Sequence, residues 1–268
     1  ILKYLGEVIE DNGIAKHIRY QHKVLSAAWS STQQRWTLQV RQGDTGETKT
    51  FSCNFLWMCQ GYYRHGEGFT PQWPGMADFK GRVVHPQTWP NDLPYAGKRV
   101  VVIGSGATAA TLIPAIADQC AHVTMLQRSP TFFRTAPNAN DMANLLRPLG
   151  IPQEWIHEIV RRKILADQSA FTRRAQSEPE VVRQELVDNV RTFLGDKVDV
   201  DKHFSPRYRP WQQRLAFIPD GDLFGAIAAG KASVVTDEID SFTAKGIKLK
   251  SGTELEADII VTATGFHL

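Results

Sequence analysis

The sequence has little cysteine and no cysteine motif. Cys53, Cys59 and Cys120 form no Cys-x-x-Cys pair and no metal-ligand spacing. That excludes a dithiol flavin reductase and gives no metal site to expect. It also fits a reducing cytoplasm. An excess of either charge is missing too. Lys and Arg number 31 against 28 Asp and Glu, so the net charge of +3 is too small to argue for nucleic acid. The basic clusters Arg161-Arg162-Lys163 and Arg173-Arg174 fall in a helical pattern and read as a solvated face. There is no internal repeat and no low-complexity tract. Nor is there an unbroken apolar run. Val100 to Ala117 is uncharged and approaches the length of a membrane span. However, Gly104, Ser105, Gly106, Thr108, Thr111 and Pro114 interrupt it, so it reads as strand, turn and helix rather than as an integral span. No signal peptide is expected, since Ile1-Leu2-Lys3-Tyr4 opens directly into a helix-like pattern. Attachment to a membrane surface stays open, and so does oligomeric state.

What is present is a globular composition, 42% hydrophobic and 22% charged, over 268 residues. At about 150 residues per domain this allows roughly two domains. Leu2, Leu5, Val8 and Ile9 recur at helical spacing, with Gly13 as a stop. Val24 to Trp29, Trp36 to Val40, Phe51 and Phe55 to Met58 are strand candidates separated by turns, which makes a β-meander. Residues 61–94 are rich in Gly, Pro and aromatics and read as an ordered connector. Lys98 to Ile103, Ala107 to Gln119 and Val123 to Gln127 give strand, helix and strand, the βαβ unit of a parallel sheet. Residues 131–209 read as a helical insertion, with runs at Met142–Leu146, Trp155–Leu165 and Val181–Leu194. A short helix from Asp220 or Gly221 to Ile227, a hairpin at Ile247–Leu255 and a buried strand at Ile259–Thr262 complete the pattern. The expected fold class is therefore α/β, a three-layer Rossmann-like fold with a β-meander and a helical insertion.

The local chemistry is concentrated at Gly104-Ser105-Gly106-Ala107-Thr108-Ala109, a GxGxxA that follows a strand and opens a helix. Gly104 permits the tight turn, Gly106 admits a pyrophosphate, and Ala109 lets helix and strand pack closely. The helix N-terminus offers unpaired N–H groups and a positive dipole end. The next strand ends in Gln127-Arg128-Ser129, with no acid to take a ribose 2′-hydroxyl. Arg128 is placed to pair a 2′-phosphate, so NADPH is preferred over NADH.

Phe79-Lys-Gly81-Arg-Val-Val-His85-Pro-Gln-Thr-Trp89-Pro90 has the form FxGxxxHxxxWP. With the glycine fingerprint in its correct order, this resembles the Baeyer–Villiger monooxygenases among the class B flavoprotein monooxygenases. Within them the chain is most similar to the ethionamide-activating group. Cys59-Gln-Gly-Tyr-Tyr63, Val123 to Pro130 and Pro219-Asp-Gly-Asp-Leu-Phe224 carry that likeness. The resemblance implies an FAD- and NADPH-dependent enzyme. It would insert one atom of O2 into a ketone, giving an ester or lactone, or place it on the sulfur of a sulfide or thioamide. It also implies that Arg214, in Gln213-Arg214-Leu215, is the catalytic arginine stabilising developing negative charge. Arg207 and Arg209 compete for that role. Gln213 departs from the family's frequent lysine. His85 and Trp89 would couple the connector to the cofactors, His85 as a satisfied structural histidine and Trp89 as a packing anchor. Gln60, Gly61, Tyr62, Thr264 and Gly265 would lie near FAD, with Val24 near its adenine.

The implied division has 1–60 as a partial FAD domain and 61–94 as the connector. Residues 95–130 and 210–265 form the NADPH domain, 131–209 its insertion, and 266–268 the start of further FAD domain. Such enzymes need two dinucleotide fingerprints and only one occurs. An internal part of a longer protein is expected, with poor FAD binding and no turnover by itself. Three other readings remain: an N- or S-oxygenating flavin monooxygenase, a plain NADP-dependent dehydrogenase, and a truncated NADP-binding module without activity.

Overall fold

Two units, Ile1–Tyr62 and Tyr63–Leu268, divide the chain in the computed structural model, which describes residues 1–43 and 45–267. The first holds α1 (Leu2–Asp11) and an antiparallel meander of β1 (His22–Ser30), β2 (Arg35–Gln42) and β3 (Thr48–Cys53). Helix α1 stops where the Asn12 side chain donates to the Val8 carbonyl at 2.9 Å and Gly13 turns to φ +59°. Trp29 and Trp36 are directly paired across β1 and β2, their rings 5.5 Å apart. Phe55 to Met58, expected as a strand, is irregular. It has apolar content but no partner strand among the described residues, so its backbone has no ladder to join.

The second unit runs through β4 (Arg82–Val84), β5 (Arg99–Ile103), α2 (Ala107–Ala117) and β6 (His122–Gln127). It continues with β7 (Phe133–Ala136), α3 (Asp141–Leu146), α4 (Gln153–Ser177), α5 (Pro179–Leu194) and α6 (Val200–Phe204). Then come β8 (Ala216–Pro219), α7 (Asp222–Ala228), β9 (Ala232–Thr236), a meander of β10 (Ile239–Thr243), β11 (Gly246–Leu249) and β12 (Glu254–Glu256), and β13 (Ile259–Thr262). Five strands form one parallel sheet in the order β4-β13-β5-β6-β9.

Strand β5 shows why the sheet is sandwiched. Val100 and Val102 join the apolar cluster under the helices, with Ile113, Phe204 and Phe224. Val101 and Ile103 join the opposite cluster, with Phe242, Ile247 and Leu249 of the β10–β12 meander. Successive side chains point to opposite faces, so a strand covered on both reads as a continuous apolar run. Helices, parallel sheet and meander make three layers: the fold is α/β and Rossmann-like.

Two elements of this unit differ from the sequence expectation. Arg82–Val84, inside the segment read as connector, is the edge strand of the main sheet. Gly81 and Pro86 bracket it so closely that three residues show no period. Phe133–Ala136, inside the segment read as helical, pairs in parallel with β8. Arg134 fixes that pair, its guanidinium 4.3 Å from the Phe171 ring centre and 5.7 Å from that of Phe217. Helix α4, at 25 residues, is the longest of the described helices, and no described helix is long and apolar enough to cross a membrane.

Ala109 and Ala110 are fully packed where α2 crosses the core. Extra side-chain volume there has nowhere to go. Ala109→Leu should cost about 1–3 kcal/mol, read as a lower urea midpoint; an unchanged midpoint would refute the close packing.

Candidate functional site

The site is built at the C-terminal ends of β5, β6 and β9. Gly104 follows β5 with φ +123°, and its N–H donates to the Leu126 carbonyl at 2.8 Å. A Cβ at Gly104 would lie 2.4 Å from the Ala263 carbonyl oxygen, so any larger residue would clash with backbone. A Cβ at Gly106 would meet no atom within 4 Å. The two glycines therefore do different work: the first permits strand contact, and the second leaves open space at the helix start. Gly106, Ala107 and Thr108 are exposed, and the first N–H groups of α2 have no acceptor within the helix. Ser105 is buried, its hydroxyl 2.9 Å from that of Thr131. This arrangement fits a pyrophosphate.

Two cavities flank the cradle. One of about 770 Å³ is lined by Arg128, Ser129, Lys202, Arg207, Tyr208 and Thr236, among others. The second, about 520 Å³, is lined by Phe69, Trp73, Gly104, Leu126, Arg128 and Thr264, among others. Arg128 borders both. Glu238 also borders both; the Lys250 ammonium holds its carboxyl below the usual range, and the Arg128 charge adds to the effect.

Gln127 ends β6 fully buried. Its amide donates to the His203 carbonyl at 2.6 Å and to the Thr236 hydroxyl at 2.9 Å. His203 Nδ1 lies 2.8 Å from the same hydroxyl. This ties α6 to the ends of β6 and β9. Gln127 Oε1 has no partner among the described residues. Burial, helped by the neighbouring Lys202 charge, lowers the His203 pKa.

The motif histidine is fully engaged. His85 Nδ1 accepts from the Gln87 N–H at 3.0 Å, which leaves Nε2 to donate to the Gly265 carbonyl at 2.9 Å. The Phe69 N–H donates to that same carbonyl at 3.0 Å, and the Thr264 hydroxyl donates to the Phe69 carbonyl at 2.6 Å. Phe79 is buried beside Phe242. A Cβ at Gly81 would lie 2.3 Å from the Asp258 carbonyl oxygen. Trp89 and Pro90 are half-buried, Trp89 against Tyr95 with ring centres 6.1 Å apart.

In the first unit, Val24 is half-exposed on β1, and Gln60, Gly61 and Tyr62 are exposed at the unit's end. Gly61 has φ +70°. In the second unit, Arg207, Arg209 and Arg214 are all exposed. Among the described lining residues of the two cavities, Arg207 is present, and Arg209 and Arg214 are not.

Sequence reading missed Gly68 and Lys202. A Cβ at Gly68 would fall 1.9 Å from the His85 ring, so the imidazole rests on bare backbone. Neither residue sits in a spacing that singles it out. Burial pushes the Cys120 thiol up to about 11, which keeps it protonated. No group of metal-ligating side chains occurs among the described residues.

With this geometry described, comparison with known proteins is decisive for the family. The sequence profile of the flavin-binding monooxygenase-like family matches residues 1–137. The chain belongs to that family. The flavin-binding monooxygenase-like chain is 48% identical over 269 residues to the FAD-containing monooxygenase EthA of Mycolicibacterium smegmatis, covering 100% of this chain and 54% of that protein. It is 47% identical over 272 residues to the putative FAD-containing monooxygenase MymA of Mycobacterium tuberculosis, again covering 100% and 54%. It is 44% identical to a probable FAD-binding monooxygenase AlmA of an Acinetobacter species, covering 99% and 53%. The chain thus spans about half the length of the curated relatives it matches. Among solved structures, oxidized steroid monooxygenase bound to NADP superposes with a TM-score of 0.74 at 21% identity, covering 99% of this chain and 56% of the other. Cyclohexanone monooxygenase bound to ε-caprolactone gives 0.72 at 20%, covering 99% and 57%. These likenesses support the Rossmann-like fold.

The half-buried His203 makes stability depend on pH. Burial disfavours the imidazolium in the folded chain, so the unfolded chain binds more protons once pH falls below about 6.5. This contribution is present above that value and is lost as pH falls through the lower folded pKa. Thermal midpoints measured between pH 8 and pH 5 should fall on acidification, and His203→Asn should flatten part of that fall. Parallel curves for both proteins would refute the assignment.

Proposed function

We propose that this chain is the NADPH-binding part, with an adjoining part of the flavin domain, of an FAD- and NADPH-dependent monooxygenase. The enzyme would insert one atom of O2 into a ketone or place it on the sulfur of a sulfide or thioamide. The observation that carries the reading is the cation-lined mouth beside the GxGxxA cradle. Arg128 follows β6 where an acid would select a free ribose hydroxyl, and it borders both cavities. Family membership and the FxGxxxHxxxWP motif direct this nucleotide site toward flavin chemistry.

NADPH supplies a hydride and a bound flavin supplies oxygen activation. The residues of the chain do the holding. Gly104 and Gly106 let backbone approach the pyrophosphate, and the first N–H groups of α2 donate to it. Ser129 and Arg128, which line the larger cavity, would hold the ribose phosphate. On this reading Gln60, Gly61, Tyr62, Thr264, Gly265 and the backbone of Val24 adjoin the flavin. Arg214 keeps the charge-stabilising role, while the place of Arg207 beside Arg128 supports a nucleotide role for that competitor. His85 acts as a fastener between the connector and the Gly265 turn, since both its ring nitrogens are already occupied.

The test is a chimera in which this chain replaces the matching segment of the Mycolicibacterium smegmatis relative. Supplied with NADPH, oxygen-18 gas and either a ketone or a thioether, it should release labelled ester or labelled sulfoxide. The product that carries the label decides between carbon and sulfur. Arg214→Ala in the chimera should cut labelled product by about 100-fold, the scale of one lost charge-stabilising donor. A folded chimera that retains FAD and oxidises NADPH without labelling either product would sink the reading.

A further inference from the structure

The 770 Å³ cavity beside Arg128 has an unusual balance of charge. Five charged side chains line it: Arg128, Lys202, Arg207, Asp201 and Glu238. Both acids are bound to cations outside the cavity lining. Asp201 pairs with Arg191 from α5, and Glu238 pairs with Lys250. Among the described residues, Arg128, Lys202 and Arg207 make no ion pair. Three cations without an ion pair therefore converge on one opening whose two lining acids are already paired elsewhere, and only longer-range attraction links Arg128 to Glu238 and Lys202 to Asp237. Ser129, Ser205, Tyr208, Gln212 and Thr236 add polar groups around them. Such a lining is built for an anion with several acceptor oxygens.

The two insertion cations are not carried on loose chain. On α6, Val200 and Phe204 are buried, and Phe204 packs against Phe133 and Phe224 at 5.8 Å and 5.7 Å. The Lys202 N–H is capped by Asp199 at 3.0 Å. His203 is tied to Gln127 and Thr236 at the strand ends. With both neighbours fixed, the Lys202 side chain extends from a set position into the cavity. Arg207 is held in the same way, between buried Pro206 and half-buried Tyr208, whose ring lies 5.3 Å from that of Phe132.

We propose that Lys202 and Arg207, both delivered by the insertion, complete with Arg128 a three-cation subsite for the 2′-phosphate of NADPH. This rests on the NADPH reading above and adds which residues enforce it. Arg128 gives direction through its planar fork, and Lys202 supplies a point charge on a flexible stem. The subsite is thus shared between the end of β6 and a segment whose helix, α6, starts 73 residues after that strand ends, counted from Gln127 to Val200.

The experiment is equilibrium binding of 2′,5′-ADP and 5′-AMP to the whole chain by calorimetry. The two probes differ by the phosphate in question. Wild type should favour 2′,5′-ADP. Lys202→Gln and Arg207→Gln should each weaken 2′,5′-ADP by about tenfold and leave 5′-AMP within about twofold, as expected for one lost charge-assisted contact. Lys202→Arg should restore most of the loss. Thermal midpoints check that the exposed substitutions leave the fold intact. If Arg128→Gln weakens 2′,5′-ADP while both insertion variants bind like wild type, the NADPH reading stands and this assignment is overturned. If wild type binds the two probes equally, the NADPH reading itself fails and the subsite falls with it.

Discussion

Everything in the second unit depends on covering both faces of a parallel sheet. A parallel ladder cannot leave one face wet, because its crossovers lay other elements over the strands. Here the cover is unequal: helices on one side, a three-stranded meander on the other. That inequality leaves the strand ends flanked by two different walls, and the two cavities lie against them. Arg128 stands where the walls part. The proposed nucleotide site is a consequence of closing the sheet rather than an addition to it.

Much of this was readable without coordinates, for physical reasons. Strand β5 and helix α2 stand out because burial on both faces forces an apolar run, and the glycine turn interrupts it at a fixed place. The fingerprint is local, so sequence carries it whole. The connector strand Arg82–Val84 was not readable, because three residues hold no period and their pairing partner lies far along the chain. For the same reason Phe133–Ala136 was hidden: its partner is β8, on the far side of the insertion helices. Phe55 to Met58 failed in the opposite direction, having strand-like residues without a strand beside them. In the candidate site, the place of Arg128 at the end of β6 was legible from its offset after the glycines. Lys202 was not, since only the fold carries α6 back to β6. Gly68 was invisible too, because what makes it necessary is a histidine ring many residues away.

The insertion deserves a different description from the one its sequence invites. It is tied down at several points: Arg134 across Phe171 and Phe217, the aromatic cluster around Phe204, and the Gln127–Thr236–His203 bonds. Each joins insertion to sheet or to the strand pair leading back to it. A segment so fastened can present side chains with the accuracy of the sheet itself. The Gln127 carboxamide leaves its oxygen without a partner among the described residues, a cost offset by its two donor bonds.

The position of β13 has a consequence for how the molecule is made. This strand is the last of the described strands yet lies inside the sheet, between β4 and β5. Until it arrives, β4 has no neighbour and β5 has a bare edge of apolar residues. A chain growing on the ribosome would carry that open edge through synthesis of the whole insertion, with β5, the glycine turn, α2 and β6 made early. Contacts this distant in sequence close slowly, and an unpaired strand edge attracts other chains while it waits.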